Sequence, residues 1–301
     1  MRLPLAFTLI SLSLAACGGD DSTTTPDAPG AKDVGFNKPT MTLQANMDGS
    51  GGWTTIGPAD LSCLNTPTSD MPTTVEVALS TTVKDFQNQT AVGTATVTAF
   101  KGIDYMNVFD TQTSDGSGAV TITIPTGTTR FGFKMTADTA MPTFLLNQKV
   151  DPGMATQTLG EIQSVSSSTA TLLPALIGQT RTAGTGVAAG ALRDCQAHEI
   201  SNFVVTISST QGTATPIDGA EAFYFSESPE LPAQHHTAES ASRNGLFMLI
   251  QVPAAPTAYV QAWGFPTDTD LASGQMKLIS ELAVPVVADT VITGSFEPVR
   301  Q

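Results

Sequence analysis

Residues 114–127, SDGSGAVTITIPTG, and residues 241–254, ASRNGLFMLIQVPA, carry the same device: a glycine turn, an apolar run and a proline stop. Asp115-Gly116, Ser117-Gly118 and Asn244-Gly245 tolerate positive φ, so each marks a chain reversal of hairpin type. Val120, Ile122 and Ile124 alternate with Ala119, Thr121 and Thr123, which puts the branched side chains on one face of a strand. Pro125 cannot donate to a ladder and ends it. A second strand follows over 130–135, with Phe131, Phe133 and Met135 on its apolar face. In the other copy Leu246 to Val252 is the strand and Pro253 the stop. Small-residue strands precede both, at 92–97 and 217–222. A repeat of roughly 125 residues is the size of a domain, not of a solenoid unit.

This order of elements resembles the carboxypeptidase regulatory-like, or transthyretin-like, family of small Greek-key β-sandwiches. The first copy offers Gly93, Ala95, Val97, Thr113, Asp115, Gly118, Val120, Ile122 and Pro125 to the family pattern; the second offers Gly219, Ala220, Ala222, Asn244, Gly245, Phe247, Leu249, Pro253 and Gly264-Phe265. Thr94 is inserted after Gly93, and Thr139-Ala140 stands where Gly264-Phe265 leads one to expect a Gly-aromatic pair. The match covers about residues 75–145 and 200–295. The resemblance implies an all-β chain of two tandem Greek-key β-sandwiches in a non-catalytic role, since such modules commonly accompany enzymes, receptors or adhesins.

Length agrees, because 301 residues suit two domains. Charged residues are only 13% of the chain, so Thr, Ser, Gln and Asn must form much of the surface. The net charge is −14 and the 13 Lys and Arg are scattered singly, which excludes a nucleic-acid partner.

The amino terminus sets the compartment. Arg2 followed by the apolar run 3–16 is a secretory signal, too short to span a membrane. It ends in Leu14-Ala15-Ala16-Cys17, which resembles the lipobox of bacterial lipoproteins and implies that Cys17 is lipidated. Gly18, where enterobacterial retention at the inner membrane uses Asp, points by the same resemblance to an outer-membrane lipid anchor, on the periplasmic or the surface face. Residues 17–40 read as a polar tether. The expected layout is a signal peptide at 1–16, the tether at 17–40, a first β-sandwich at 41–160, a connector at 161–190 and a second β-sandwich at 191–301. Leu172, Leu173, Leu176 and Ile177 stand at near-helical spacing in the connector, so one short helix limited by Pro174 is expected there. The Gly- and Thr-rich run 178–190 is expected to be its protease-sensitive part.

The polar constellations give no catalytic residue, no metal site and no cofactor. His236 and Glu239 make an H-x-x-E pair, but no histidine follows His236 to complete a zinc set. His198, His235, His236 and Asp194 are suitable ligand types, yet polar residues in an exposed loop are the simpler reading. The run 48–52, DGSGG, lacks a nucleophile elbow and reads as a loop. Asp268 and Asp270 lack EF-hand spacing and read as a turn. Once Cys17 is lipidated, Cys63 and Cys195 remain, either as a disulfide between the two domains or as two buried thiols. Aligning the repeats sets Ala258, Val260 and Ala262 toward the core, leaving Tyr259, Gln261 and Trp263 on the opposite face. That strip binds a glycan if it is open, and is covered if it is not. The chain is expected to be a non-catalytic envelope lipoprotein, a binding or structural module for a glycan or an envelope protein, with an accessory subunit of an envelope enzyme as the alternative.

Overall fold

Period-two alternation of branched and small side chains builds most elements of this all-β chain. In the computed structural model the described residues are 39–228, 230–234 and 237–301, and they belong to one compact unit. The first strands are β1 (Gln44–Gly49), β2 (Gly52–Pro58), β3 (Val77–Asp85), β4 (Thr96–Lys101), β5 (Asp104–Thr113) and β6 (Ala119–Ile124). Next come β7 (Phe131–Thr136), β8 (Ala140–Met141), β9 (Thr143–Gln148), β10 (Thr156–Thr158), β11 (Ile162–Ser166) and helix α1 (Ser167–Leu176). The chain continues through β12 (Thr185–Ala191), β13 (Glu199–Ser201), β14 (Val204–Ser208), β15 (Glu221–Tyr224) and β16 (Leu246–Pro253). It ends with β17 (Ala255–Gly264), α2 (Asp268–Ser273), β18 (Lys277–Val286) and β19 (Val291–Gly294).

One eight-stranded sheet, of order β15-β16-β12-β19-β9-β7-β4-β5, draws on both halves of the sequence. Its register fixes which side chains share a face. Val187 pairs with Val291, Val291 with Thr143, and Thr143 with Met135, so these four point the same way. On that face Val97, Ala99, Phe133 and Met135 pack against Leu79, Ile122 and Ile124 of a second sheet, β10-β3-β11-β8 with β6 on β3. On the opposite face Phe144, Ala188, Leu249 and Ile292 pack against Ile207, Val260 and Val284 of a third sheet, β14-β17-β18. The two cores therefore lie on opposite faces of one sheet: the first is limited to β4, β7 and the neighbouring part of β9, whereas the second runs across the sheet from β16 to Phe100 of β4 and Tyr105 of β5. Each fully buried Phe or Leu in them contributes on the order of 1.5–3 kcal/mol.

This arrangement is an all-β sandwich, but the expected boundaries do not hold. Residues 161–190 are no free connector: β11 extends the second sheet, α1 follows, and β12 lies inside the central sheet with β16 on one edge and β19 on the other. Residues 41–58, assigned to the first sandwich, belong with the second core: Leu43 is buried there and β1 pairs with β13. Alternation reveals a strand's face but not its neighbours, and the neighbours here come from distant sequence. Amide exchange across 186–191 should accordingly be as slow as across β9. Exchange as fast as in the exposed loop 209–213 would restore the linker reading.

The turn at 114–118 is also not a simple hairpin. It carries the chain from β5 in the central sheet to β6, whose partner is β3. Asp115 Oδ1 accepts from the Ser117 and Ala119 backbone N–H groups, at 2.8 and 3.0 Å, and so organises the crossing. Residues 48–52, expected to be a loop, form the end of the β1–β2 hairpin. Asp268 and Asp270 open α2, capped by Thr267, where a turn was expected. The helix expected near Pro174 is α1. Ser166 caps it by accepting from the Thr169 N–H, while Ala170 and Pro174 face inward and Leu172 and Leu176 remain exposed.

Candidate functional site

On the face that carries Phe133 and Met135, the first core gives way beyond β9 to a smaller cluster in which Ile177 and Phe225 pack with Val187, Phe223, Met248 and Ile250. Helix α1 stands beside this stretch, with Ala170 packed against Val291, and a cleft of about 550 Å³ opens alongside. Val187, Ala189 and Ala191 of β12, Met248 of β16 and Val291 of β19 line its floor. Ala170, Leu173 and Pro174 of α1 form a wall. Ala189 and Ala191 are small where larger residues would fill the space, and both are part-exposed. The composition is that of a binding cleft: mostly apolar, with few polar groups, and in the size range of about 300–1,000 Å³ typical of small-molecule sites.

One end differs. Beyond the C-terminal ends of the parallel strands β9, β12 and β19, the lining includes Lys149, Arg193, Glu297 and Arg300. Arg193 Nε lies 3.2 Å from Glu199 and the side chain stays 47% exposed. Lys149 Nζ lies 3.8 Å from Asp70 and 3.9 Å from Glu297. Arg130 ties the same two carboxylates together, pairing with Asp70 and, at 3.3 Å, with Glu297. Arg300 Nη1 donates to the Thr66 hydroxyl at 3.0 Å. Arg130, Lys149, Arg193 and Arg300 therefore stand here among the carboxylates of Asp70, Asp194, Glu199 and Glu297.

Asp194 is buried here, and its carboxylate is taken up by the loop. It accepts from the backbone N–H groups of Asp60, Gln196 and His198 at 3.1, 2.9 and 2.9 Å, and it faces His198 Nδ1 at 3.4 Å. Of the candidate metal set, only this His198–Asp194 pair falls among the described residues, since His235 and His236 lie outside them. No cluster of three or more metal-ligating side chains occurs among the described residues. Asp60 next to it sits below the ordinary carboxylate range because the Ser62 backbone N–H donates to it. Cys63 and Cys195 form a disulfide, Cα–Cα 5.8 Å, that closes the same end of the cleft.

The strip Tyr259, Gln261, Trp263 alternates with Ala258, Val260 and Ala262, which are buried in the second core, and Trp263 packs against that core as well. It is nevertheless not an open sugar-binding face. Gln261 is 0% exposed, and its amide donates to Glu281 at 2.8 Å and to the Thr210 carbonyl at 3.3 Å. Trp263 Nε1 donates to Gln261 Oε1 at 3.3 Å, and Glu281 also accepts from the Gly212 N–H. The loop after β14 closes the middle of the strip, leaving Tyr259 and Trp263 part-exposed on either side. Cys17 lies outside the described residues.

The cleft itself was missed from sequence. Its floor reads TGVAAGA, residues 185–191, which has a linker's composition. The available signal was the spacing of Val187, Ala189 and Ala191, a period of two written in small residues.

No family model and no curated protein matches the chain. Solved structures do. The Bacillus anthracis TIE protein aligns at 10% identity and TM-score 0.26, over 73% of this chain and 34% of that one. The shaft pilin SpaA from Lactobacillus rhamnosus GG aligns at 10% identity and TM-score 0.22, over 75% and 98%. A streptococcal ancillary pilin aligns at 14% identity and TM-score 0.22, over 75% and 63%. The chain thus spans about a third of the length of the Bacillus anthracis protein.

Proposed function

We propose that the chain is a non-catalytic lipoprotein of the bacterial envelope, anchored through Cys17 at the outer membrane, and that it works by holding a ligand in the cleft between α1 and β12. The observation that carries this reading is the cleft: an apolar floor and wall, with a charged end whose side chains are engaged in ion pairs and backbone contacts. Such a surface sequesters apolar area from water and needs no reacting group. The Cys63–Cys195 bridge agrees with an oxidising compartment. The turn-and-strand devices, similar to those of carboxypeptidase regulatory-like modules, agree with a non-catalytic role.

Two measurements test it. Cys17→Ala should move the protein from the detergent phase to the aqueous phase, and unchanged partitioning would remove the anchor. Native mass spectrometry of protein purified from envelopes should find a small molecule bound to the wild type and absent from Ala189→Trp, in which an indole occupies the floor. Identical bare spectra would remove the binding role.

A further inference from the structure

We infer that the cleft takes a long-chain carboxylate, a free fatty acid, with its chain along β12 and its head at the Arg193–Arg300 end. This rests on the binding-module reading and specifies its ligand. Length supports it first. From Val187 to Arg193 the floor runs six residue steps, about 20 Å at roughly 3.3 Å per residue. Half the roughly 30 Å hydrocarbon core of a bilayer, the reach of one acyl chain, is about 15 Å. One chain fits along the groove and leaves room for a head at its end.

Shape and chemistry support it second. Ala189 and Ala191 form a shallow trough, and Val187, Met248, Leu173 and Pro174 flank it with aliphatic or thioether surface. The floor strand β12 carries no aromatic side chain, while Phe86, Phe225, Phe247 and Phe296 add ring surface elsewhere along the lining. Each methylene moved from water to this surface should tighten binding roughly fourfold, so affinity should rise with chain length.

Charge supports it third. Lys149, Arg193 and Arg300 stand at one end only, while the other end, at Val187, Val291 and Thr143, has no charged side chain in its lining. The lining carboxylates at the charged end are Glu297 and Asp194. Glu297 is shared by Arg130 and Lys149, and Asp194 is saturated by backbone donors. The exposed Arg193 guanidinium and the Arg300 guanidinium on Thr66 retain donors for an incoming carboxylate, since a guanidinium carries five N–H groups. A polar head at one end and an apolar tail at the other reproduce this division.

The test uses the full chain carrying Cys17→Ser, so that no anchor lipid is present, with dansyl-labelled undecanoic acid as the probe. Probe fluorescence should rise on binding, and palmitate should displace it roughly tenfold better than hexadecanol, which has the tail without the charge. Ala189→Trp, which fills the trough, and Leu173→Asp, which puts a charge on the helical wall, should each weaken probe binding at least tenfold. Their melting curves show whether they remain folded, and either variant alone suffices. Arg193→Gln combined with Arg300→Ala should keep hexadecanol binding and erase the preference for palmitate. Displacement by neither compound, or by both equally, overturns the assignment. So does probe binding that survives in folded Ala189→Trp and Leu173→Asp. Binding that appears only after residues 18–38 are removed means the chain's own segment fills the cleft, which also overturns it. If palmitate fails while envelope-purified protein still carries a mass that Ala189→Trp lacks, the binding module stands and only the fatty acid falls.

Discussion

Replacing Cys63 and Cys195 together by serine is expected to lower the unfolding free energy by about 5 kcal/mol at 25 °C, a loss that urea denaturation of the two proteins reads directly. The size follows from sequence separation. The bridge spans 132 residues, and in the chain-entropy account the restriction it places on the unfolded chain grows with the logarithm of that span. In the folded chain it holds the segment after β2 to the loop between β12 and β13, where Cys195 N–H donates to Asp60 O at 2.9 Å. From that segment Asn65 N–H donates to Val299 O and Thr66 O accepts from Gln301 N–H, so the chain's last residues are secured through the same knot. Thiol titration of the unfolded, unreduced protein should find no free thiol at Cys63 or Cys195. A stability loss under about 1 kcal/mol would mean the unfolded chain is already constrained without the bridge.

The cysteine pair shows what was legible in the sequence. Cys63 and Cys195 stand 132 residues apart in sequence, and only the fold brings their Cα atoms to 5.8 Å. Strand faces were legible for a local reason. Val120, Ile122 and Ile124, and Phe131, Phe133 and Met135, are buried as their alternation requires. Strand partners were not legible. Nothing local in TGVAAGA tells β12 that its neighbours are β16 and β19, and the small residues that suit a trough are those that compose linkers. The cleft is less legible still, since Leu173, Leu246 and Val291 meet only after three separate stretches of chain have folded. The strip at Tyr259, Gln261 and Trp263 falls between these cases. Ala258, Val260 and Ala262 are buried as alternation requires, yet Trp263 packs against the same core, and the contacts from Thr210 and Glu281 that bury Gln261 come from chain 51 and 20 residues away.

Gly118→Ala is expected to destabilise the protein by roughly 2–5 kcal/mol, the sum of a left-handed backbone penalty of about 1–2 kcal/mol and an overpacking penalty of about 1–3 kcal/mol. Gly118 has φ +79°, and a Cβ built on it falls on the Val83 carbonyl, closer than real Cβ atoms approach backbone. That carbonyl cannot retreat cheaply. Val83 N–H donates to Gly118 O at 2.8 Å, and Val83 O accepts from Val92 N–H at 2.9 Å, so both bonds would be disturbed where β3, the crossing turn and the segment before β4 meet. Gly127→Ala is the matched control. Its φ is +84°, yet nothing lies within 4 Å of a Cβ there, so it should show the backbone penalty alone. The difference between the two variants then isolates the steric contact, and urea unfolding of both measures it. Equal losses would mean that β3 shifts to admit the methyl group, and that this glycine serves only the turn and not the packing of the crossing against β3.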